Sequence, residues 1–271
     1  MGLLDGKVVF ITGGARGQGR SHAVRCAKEG ADIALVDLGS AGTVDAPAYI
    51  TGTAEELKET ERLVSESGRR ALSFEVDVRD HDGLCQAADE TARQLGGIDC
   101  VVANAGISDA FLPIWELPVE NWRTMIDINL TGVFHTCKAT VPHVRARGEG
   151  GSIVLVSSIA GIKSYGWMTH YSAAKYGVRG LAIAIAKELA PEYIRCNSLH
   201  PGAIDTGMTD AMVYLGGKPK EELLQQFRDQ QLLARNIELR DSTAAVVWLL
   251  SDESRFVTAQ EFVVDGGESK K

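Results

Sequence analysis

Short apolar runs rich in β-branched residues alternate with helical stretches along all 271 residues, and that rhythm leaves few folds open. Residues 8–12, 33–37, 71–77, 100–104, 152–156, 195–199 and 261–264 read as strands. Residues 19–30, 55–66, 83–95, 119–143, 171–189 and 242–250 read as the helices between or after them. Strands that are apolar throughout, with no inside–outside alternation, belong to a parallel sheet covered on both faces. Right-handed crossovers then favour the doubly wound dinucleotide fold: a parallel α/β sheet of about seven strands with helices on both sides. No composition shift, linker, repeat or low-complexity tract divides the chain, and 45% hydrophobic content supplies one large core. The expectation is a single domain over residues 1–271.

Two stretches break the rhythm. Residues 38–53 (LGSAGTVDAPAYITGT) join a strand to a helix, where two to six residues are ordinary. Residues 206–236 form a second excursion, with GGKP at 216–219 and a helical run from Lys220. Connections of this length in a compact domain are usually functional. The first is expected to act as a lid over a cofactor, with Tyr49 and Ile50 packing onto something, and the second as a substrate loop.

The first strand runs into Thr12-Gly13-Gly14-Ala15-Arg16-Gly17-Gln18-Gly19. Glycines 13, 17 and 19 make a tight strand-to-helix turn in which backbone N–H groups and a helix N-terminus can approach a pyrophosphate. Arg16 and Gln18 sit inside that turn. Asp37 ends the second strand, 20 residues beyond Gly17, where a carboxylate accepts hydrogen bonds from ribose hydroxyls and repels a 2′-phosphate. Arg16 argues the other way, but Asp37, with Leu38, meets the ribose directly, so NAD is preferred to NADP. Asp77 and Val78, after the third strand, are placed to touch the adenine. Asn104, Ala105 and Gly106, after the fourth, border the adenosine.

Ser158 follows the fifth strand, at the carboxyl edge where open α/β sheets bind ligands. Tyr171 comes 13 residues later and Lys175 four after that, so phenol and ammonium share one helix face. A phenol of ordinary pKa is a poor base at neutral pH; an adjacent ammonium and a positive nicotinamide are expected to lower it. Ser158 then holds a substrate oxygen while hydride leaves or reaches the neighbouring carbon. Taken with Asn129 and Pro201-Gly202, the ordered set Thr12–Gly19, Asn104–Gly106, Ser158, Tyr171 and Lys175 resembles the short-chain dehydrogenase/reductase family over essentially the whole chain.

That resemblance implies a proton relay in which Asn129 positions a water linking Lys175 to solvent; the plainer reading of Asn129 is a helix-kink hydrogen bond. It also implies that Pro201, Gly202, Ile204 and Thr206 contact the nicotinamide end, and that the protein is a homotetramer built on the 119–143 and 171–189 helices and the last strand. Thr258-Ala259 departs from the family's usual Thr-Gly, and alanine there implies an ordinary backbone. A narrower likeness rests on the run Gly17-Gln18-Gly19-Arg20-Ser21-His22, the 38–53 insertion and Arg69-Arg70-Ala71. These resemble carveol-dehydrogenase-like members, described as mycofactocin-coupled, which implies a buried, poorly exchanging NAD regenerated by an external redox partner.

Trp167 and Met168, just upstream of Tyr171, join Ile107, Ser108 and Met208 in an expected apolar substrate pocket, suited to a terpenoid-like or other hydrophobic secondary alcohol or its ketone. Trp115 and Trp248 are expected in the core or an interface, and His170 is expected to be structural. The balance of 28 basic and 36 acidic residues, a net charge of −8, argues against nucleic acid or an anionic membrane as partner. No segment approaches a membrane span and no histidine spacing indicates a metal. The opening MGLLDGKVV lacks a signal-peptide pattern, and five scattered cysteines suit a reducing, cytoplasmic setting. A 3-oxoacyl carrier-protein reductase is the alternative enzyme, opposed by Asp37 and the acidic balance. A catalytically silent dinucleotide-binding protein is the alternative outside enzymology, opposed by the intact Ser158, Tyr171 and Lys175.

Overall fold

A computed structural model describes residues 2–42, 44, 51–109, 111–217 and 219–271. Its described residues contain seven strands: β1 (Val8–Thr12), β2 (Asp32–Asp37), β3 (Ala71–Glu75), β4 (Cys100–Ala103), β5 (Gly151–Val156), β6 (Ile194–Pro201) and β7 (Glu261–Val264). All pair in parallel in the order β3-β2-β1-β4-β5-β6-β7. The order reverses between β1 and β4, so their carboxyl ends diverge and leave the crevice in which such sheets bind ligands. β1 and β4 are buried along their whole length, which is why they read as apolar runs, whereas the equally buried β6 carries Arg195, Asn197, Ser198 and His200, each hydrogen-bonded.

Helices α1 (Gly17–Lys28), α2 (Ala54–Ser65) and α9 (Leu239–Leu250) accompany one apolar cluster, around Val9, Ile11, Ile33 and Leu35. Helices α3 (His81–Leu95), α5 (Gly132–Arg147) and α6 (Thr169–Leu189) accompany the other, around Phe10, Val101, Ile153 and Leu155. Alternate side chains of one strand thus enter opposite cores. The expected 119–143 helix is interrupted: α4 (Val119–Ile126) passes through a π-helical turn, Asp127–Thr131, into α5. Residues 206–236 hold α7 (Gly207–Gly216), which lacked a clear sequence signal, and α8 (Lys220–Gln230). Residues 43 and 45–50 of the 38–53 connection, Tyr49 and Ile50 among them, lie outside the described residues; Thr53 ends the connection by capping α2.

The 17–22 run acquires a physical reason here. Arg20 donates to the carbonyls of Ala15 and Glu56, while Ser21 and His22 both hydrogen-bond the Thr243 hydroxyl of α9. Gln18 accepts from Ser242. These contacts bind the glycine turn to α2 and α9 through partly buried side chains and the fully buried His22. Trp248 is partly buried against Phe262, whereas Trp115 is exposed.

Ala259 corrects an expectation. Its φ is +58°, a left-handed conformation, because the turn into β7 must swing its N–H onto the Cys196 carbonyl, 2.8 Å away. Alanine bears that strain at a cost of about 1–2 kcal/mol. Ala259→Gly should therefore raise stability by about 0.5–1 kcal/mol after the unfolded-state entropy of glycine is subtracted, measurable as a shift in the urea midpoint.

His22 makes a second prediction. Full burial lowers its pKa from 6.5 to about 3. Below pH 6.5 the unfolded chain takes up a proton that the folded ring refuses, so stability falls as pH drops from 6.5 towards 3. The loss from this group is about 1.4 kcal/mol between pH 7.5 and 5.5, and His22→Met should remove it from the pH profile of urea unfolding.

Candidate active site

The fork between β1 and β4 is tied by side chains. Asn104 Nδ2 donates to the carbonyls of Thr12 (3.0 Å) and Gly13 (3.2 Å), and the Thr12 hydroxyl accepts the N–H groups of Asn104 and Ala105. α1 can start beside this knot because Gly19 has no Cβ; one would overlap the Gly13 carbonyl oxygen and crowd Asn104. Gly13 and Gly17 have φ of +69° and +56°. The N-cap residue, Arg16, makes no side-chain cap, so the first N–H groups of α1 keep their donors for a ligand.

From this turn a groove runs outward along Asp37, Leu38, Asp77 and Val78. Asp37 Oδ2 accepts the Ala15 N–H and Oδ1 the Leu38 N–H, both at 2.8 Å, which leaves a lone pair on each oxygen facing the groove side. Burial raises its pKa, opposed by those two amides and by Arg16. This arrangement fits the unphosphorylated ribose of NAD: two hydroxyls find acceptors, and a 2′-phosphate meets a desolvated acid. Asp77 is committed to Arg79, whose guanidinium holds both its oxygens and lowers its pKa against the effect of burial. Val44, Thr51 and Gly52 of the insertion border the same groove, and a Cβ on Gly52 would press on Asp37 Oδ1 and Ala15.

Beyond Gly106 the groove meets a cleft of about 800 Å³. Ser158, Tyr171, Lys175, Pro201, Gly202, Ile204 and Thr206 line it, with Gln18, Asn104 and Gly106 at the junction. Ser158 and Lys175 are held from behind. The Ser158 carbonyl is hydrogen-bonded by the buried His200, and its hydroxyl, beside the Tyr171 phenol, accepts the Ala160 N–H. Lys175, 3% exposed, places Nζ 3.1 Å from the Val156 carbonyl and 5.6 Å from the Tyr171 ring centroid. Asn129 stands in the π turn with Oδ1 accepting from Ile107 N–H and Nδ2 donating to Ile107 carbonyl, both at 2.8 Å. A Cβ on Gly106 would lie 3.0 Å from Asn129 Oδ1 and 3.4 Å from Lys175 Nζ, so this glycine separates the two by one atom's width.

Burial governs both titrating groups. It raises the Tyr171 pKa, offset only by the Ser158 hydrogen bond, and lowers Lys175 to about 8. The expected lowering of the phenol is absent from the protein alone, because the ammonium lies over the ring and is itself desolvated.

Trp167, Met168 and Met208 line the cleft as expected; Trp167 is 63% exposed, with φ of +68°, and its carbonyl accepts the Leu112 N–H. Ile107 lines the groove, whereas Ser108 is buried away from both spaces. Gly19 does not line them either and acts by permitting close packing. His170 is structural: its Nε2 makes a buried hydrogen bond with Asp109, whose other oxygen accepts from Asn121, pinning the loop after β4 to α6. Sequence reading missed Phe111, Leu112, Tyr165, Phe227 and Glu268 in the cleft wall. Only their tertiary placement gives them a role. Among the described residues, no group of three or more His, Cys, Asp or Glu gathers to hold a metal, and no helix is long and apolar enough to cross a membrane.

The fold agrees with comparisons to known proteins. A family model described as enoyl-(acyl carrier protein) reductase matches residues 13–269. The (−)-trans-carveol dehydrogenase of Rhodococcus erythropolis is 43% identical over all of both chains. The crystal structure of a carveol dehydrogenase from Mycobacterium avium in complex with NAD superposes with a TM-score of 0.95, at 43% identity and full coverage of both. A short-chain dehydrogenase from Mycobacterium paratuberculosis, bound to NAD, gives 0.90 at 41% identity, also covering both chains fully.

The chain belongs to the short-chain dehydrogenase/reductase family. This short-chain dehydrogenase/reductase is an NAD-dependent oxidoreductase of alcohols. Asp37→Ala should weaken NAD binding by about 10–100-fold, the value of hydrogen bonds to a charged acceptor, and narrow discrimination against NADP; titration of both nucleotides measures it.

Proposed function

We propose that the enzyme interconverts a hydrophobic, terpenoid-like secondary alcohol and its ketone, with Tyr171 as acid/base and Ser158, Lys175 and Asn129 completing the catalytic set. The observation that carries this reading is the convergence of Ser158, Tyr171 and Lys175 on one predominantly apolar cleft that joins the groove beside Asp37. NAD, when bound, supplies the hydride acceptor for oxidation and, reduced, the donor for the reverse.

The Tyr171 hydroxyl and Ser158 hydroxyl face the cleft together, so both reach one substrate oxygen. Ser158 donates to it and fixes its position, while Tyr171 removes the alcohol proton or returns it to the ketone oxygen. Lys175 holds its charge beneath the phenol and steadies the phenolate once the proton has gone. Asn129 keeps Gly106 and Ile107 in place, and a water beside it links Lys175 to solvent. Met168 and Met208 exclude water from the reacting carbon.

Tyr171→Phe should retain NAD and lower turnover by about 10²–10⁴-fold, read in stopped-flow NADH absorbance. Because burial favours the neutral phenol, alcohol oxidation should accelerate as pH rises from neutrality, and ketone reduction should slow over the same range.

Residues 38–53 are proposed to retain NAD, supported by Thr51 and Gly52 packing beside Asp37, and an external redox partner would then regenerate it. Protein purified without added cofactor should release near-stoichiometric NAD on denaturation and complete about one turnover with a hydrophobic secondary alcohol. An empty protein turning over repeatedly with free NAD sinks this part of the reading. A homotetramer in the cytoplasm is proposed as the working form. Trp122 on α4, Phe134 on α5, Tyr176 on α6 and Val263 on the edge strand β7 support the assembly, being large apolar side chains left exposed.

A further inference from the structure

The cleft wall is apolar over much of its extent, through Phe111, Leu112, Met212 and Phe227, but one acid interrupts it. Glu268 lies in the 3-10 turn Glu268–Lys270 near the end of the chain and is only 3% exposed. Its Oε1 accepts the Tyr165 hydroxyl. Its other carboxyl oxygen has no hydrogen-bond partner among the described residues, and it is not sealed from the cleft. Neither is the carboxyl ion-paired among those residues: the nearby Lys163 ammonium reaches the Glu268 main-chain carbonyl instead.

The turn that carries this acid is firmly anchored. Asp265 accepts the N–H groups of Gly267 and Ser269 at 2.7 Å, and the Gly266 carbonyl accepts those of Leu232 and Leu233. Tyr165 spends its only proton on Glu268, and burial together with that bond pushes its pKa up, so it stays a donor. What the pair offers the cleft is therefore an acceptor. An acceptor that opens onto the cleft can take a ligand hydroxyl in place of water, whereas a ligand carboxylate adds repulsion.

We propose that Glu268, held by Tyr165, is a second recognition point of the substrate cleft, and that it selects alcohols carrying a further hydroxyl remote from the reacting carbon over mono-alcohols and hydroxy acids. The inference deepens the proposed dehydrogenase reading, since it takes this cleft to be where the substrate sits. A diol or a hydroxyketone presents both groups: one oxygen to Ser158 and Tyr171, the other to Glu268.

Three probes of similar size separate the outcomes: cyclohexanol, trans-cyclohexane-1,4-diol and trans-4-hydroxycyclohexanecarboxylate. Each is titrated into the NAD-loaded protein with calorimetric detection, and NADH formation is followed separately. The diol should bind about ten-fold or more tightly than cyclohexanol, as a hydrogen bond to a charged acceptor implies, and the hydroxy acid most weakly. Glu268→Gln should abolish the diol's advantage and narrow the acid's deficit, both relative to cyclohexanol. Equal binding of diol and cyclohexanol by the wild-type protein overturns the proposal, as does an undiminished advantage in the variant. Binding is read independently of turnover. Preferential diol binding without NADH formation supports the recognition point and counts against the dehydrogenase reading; cyclohexanol turnover without diol preference does the reverse.

Discussion

Everything at the ligand edge of this protein depends on the Asn104 amide, which bonds the carbonyls of Thr12 and Gly13 where β1 and β4 part. Two parallel strands that diverge leave main-chain groups without ladder partners, and buried groups of that kind must be paired. Asn104 and the Thr12 hydroxyl pair them and hold the fork at a set width. α1 then closes onto the fork at Gly19, and its uncapped first turn faces the groove. A side chain at Gly19 would separate helix from strand and remove the anion site with it.

The second half of the site is assembled by burial. Ser158, Tyr171 and Lys175 come from a strand end and the first turns of α6. His200 holds the Ser158 main chain, the Ser157 hydroxyl bonds the Lys175 carbonyl, and Lys175 in turn reaches the Val156 carbonyl. The electrostatic consequence is symmetrical. The surroundings penalise phenolate and ammonium alike, raising one pKa and lowering the other to about 8. The protonation of both groups is thus sensitive to whatever charge arrives in the cleft, a property of the desolvated site that neither residue has in water.

Polar contacts also explain the side chains that looked like a family signature. Arg20, Ser21 and His22 do not face the groove to bind a ligand; they lace the glycine turn to α2 and α9. The π-helical turn at Asp127–Thr131 has a similar logic. One added residue in the helix turns Asn129 inward, where its amide satisfies both main-chain groups of Ile107. The kink-bond role of Asn129 is therefore visible in the geometry, and it stabilises the same loop that His170 and Asp109 pin from the other side.

Sequence alone determined the parallel sheet, the glycine turn, Asp37 and the Ser158–Tyr171–Lys175 order, because strand burial, close backbone approach and i,i+4 spacing are local and leave periodic marks. It also determined the NAD preference, since an acid ending the second strand has one place to point. Tertiary structure decided what depends on distant segments meeting. It placed Glu268, almost the last residue, in the wall of the cleft that Ser158 and Tyr171 also line, and it forced Ala259 into a left-handed turn that alanine does not choose. It set the direction of the Tyr171 shift, because desolvation is a property of the packed interior and has no counterpart in residue spacing.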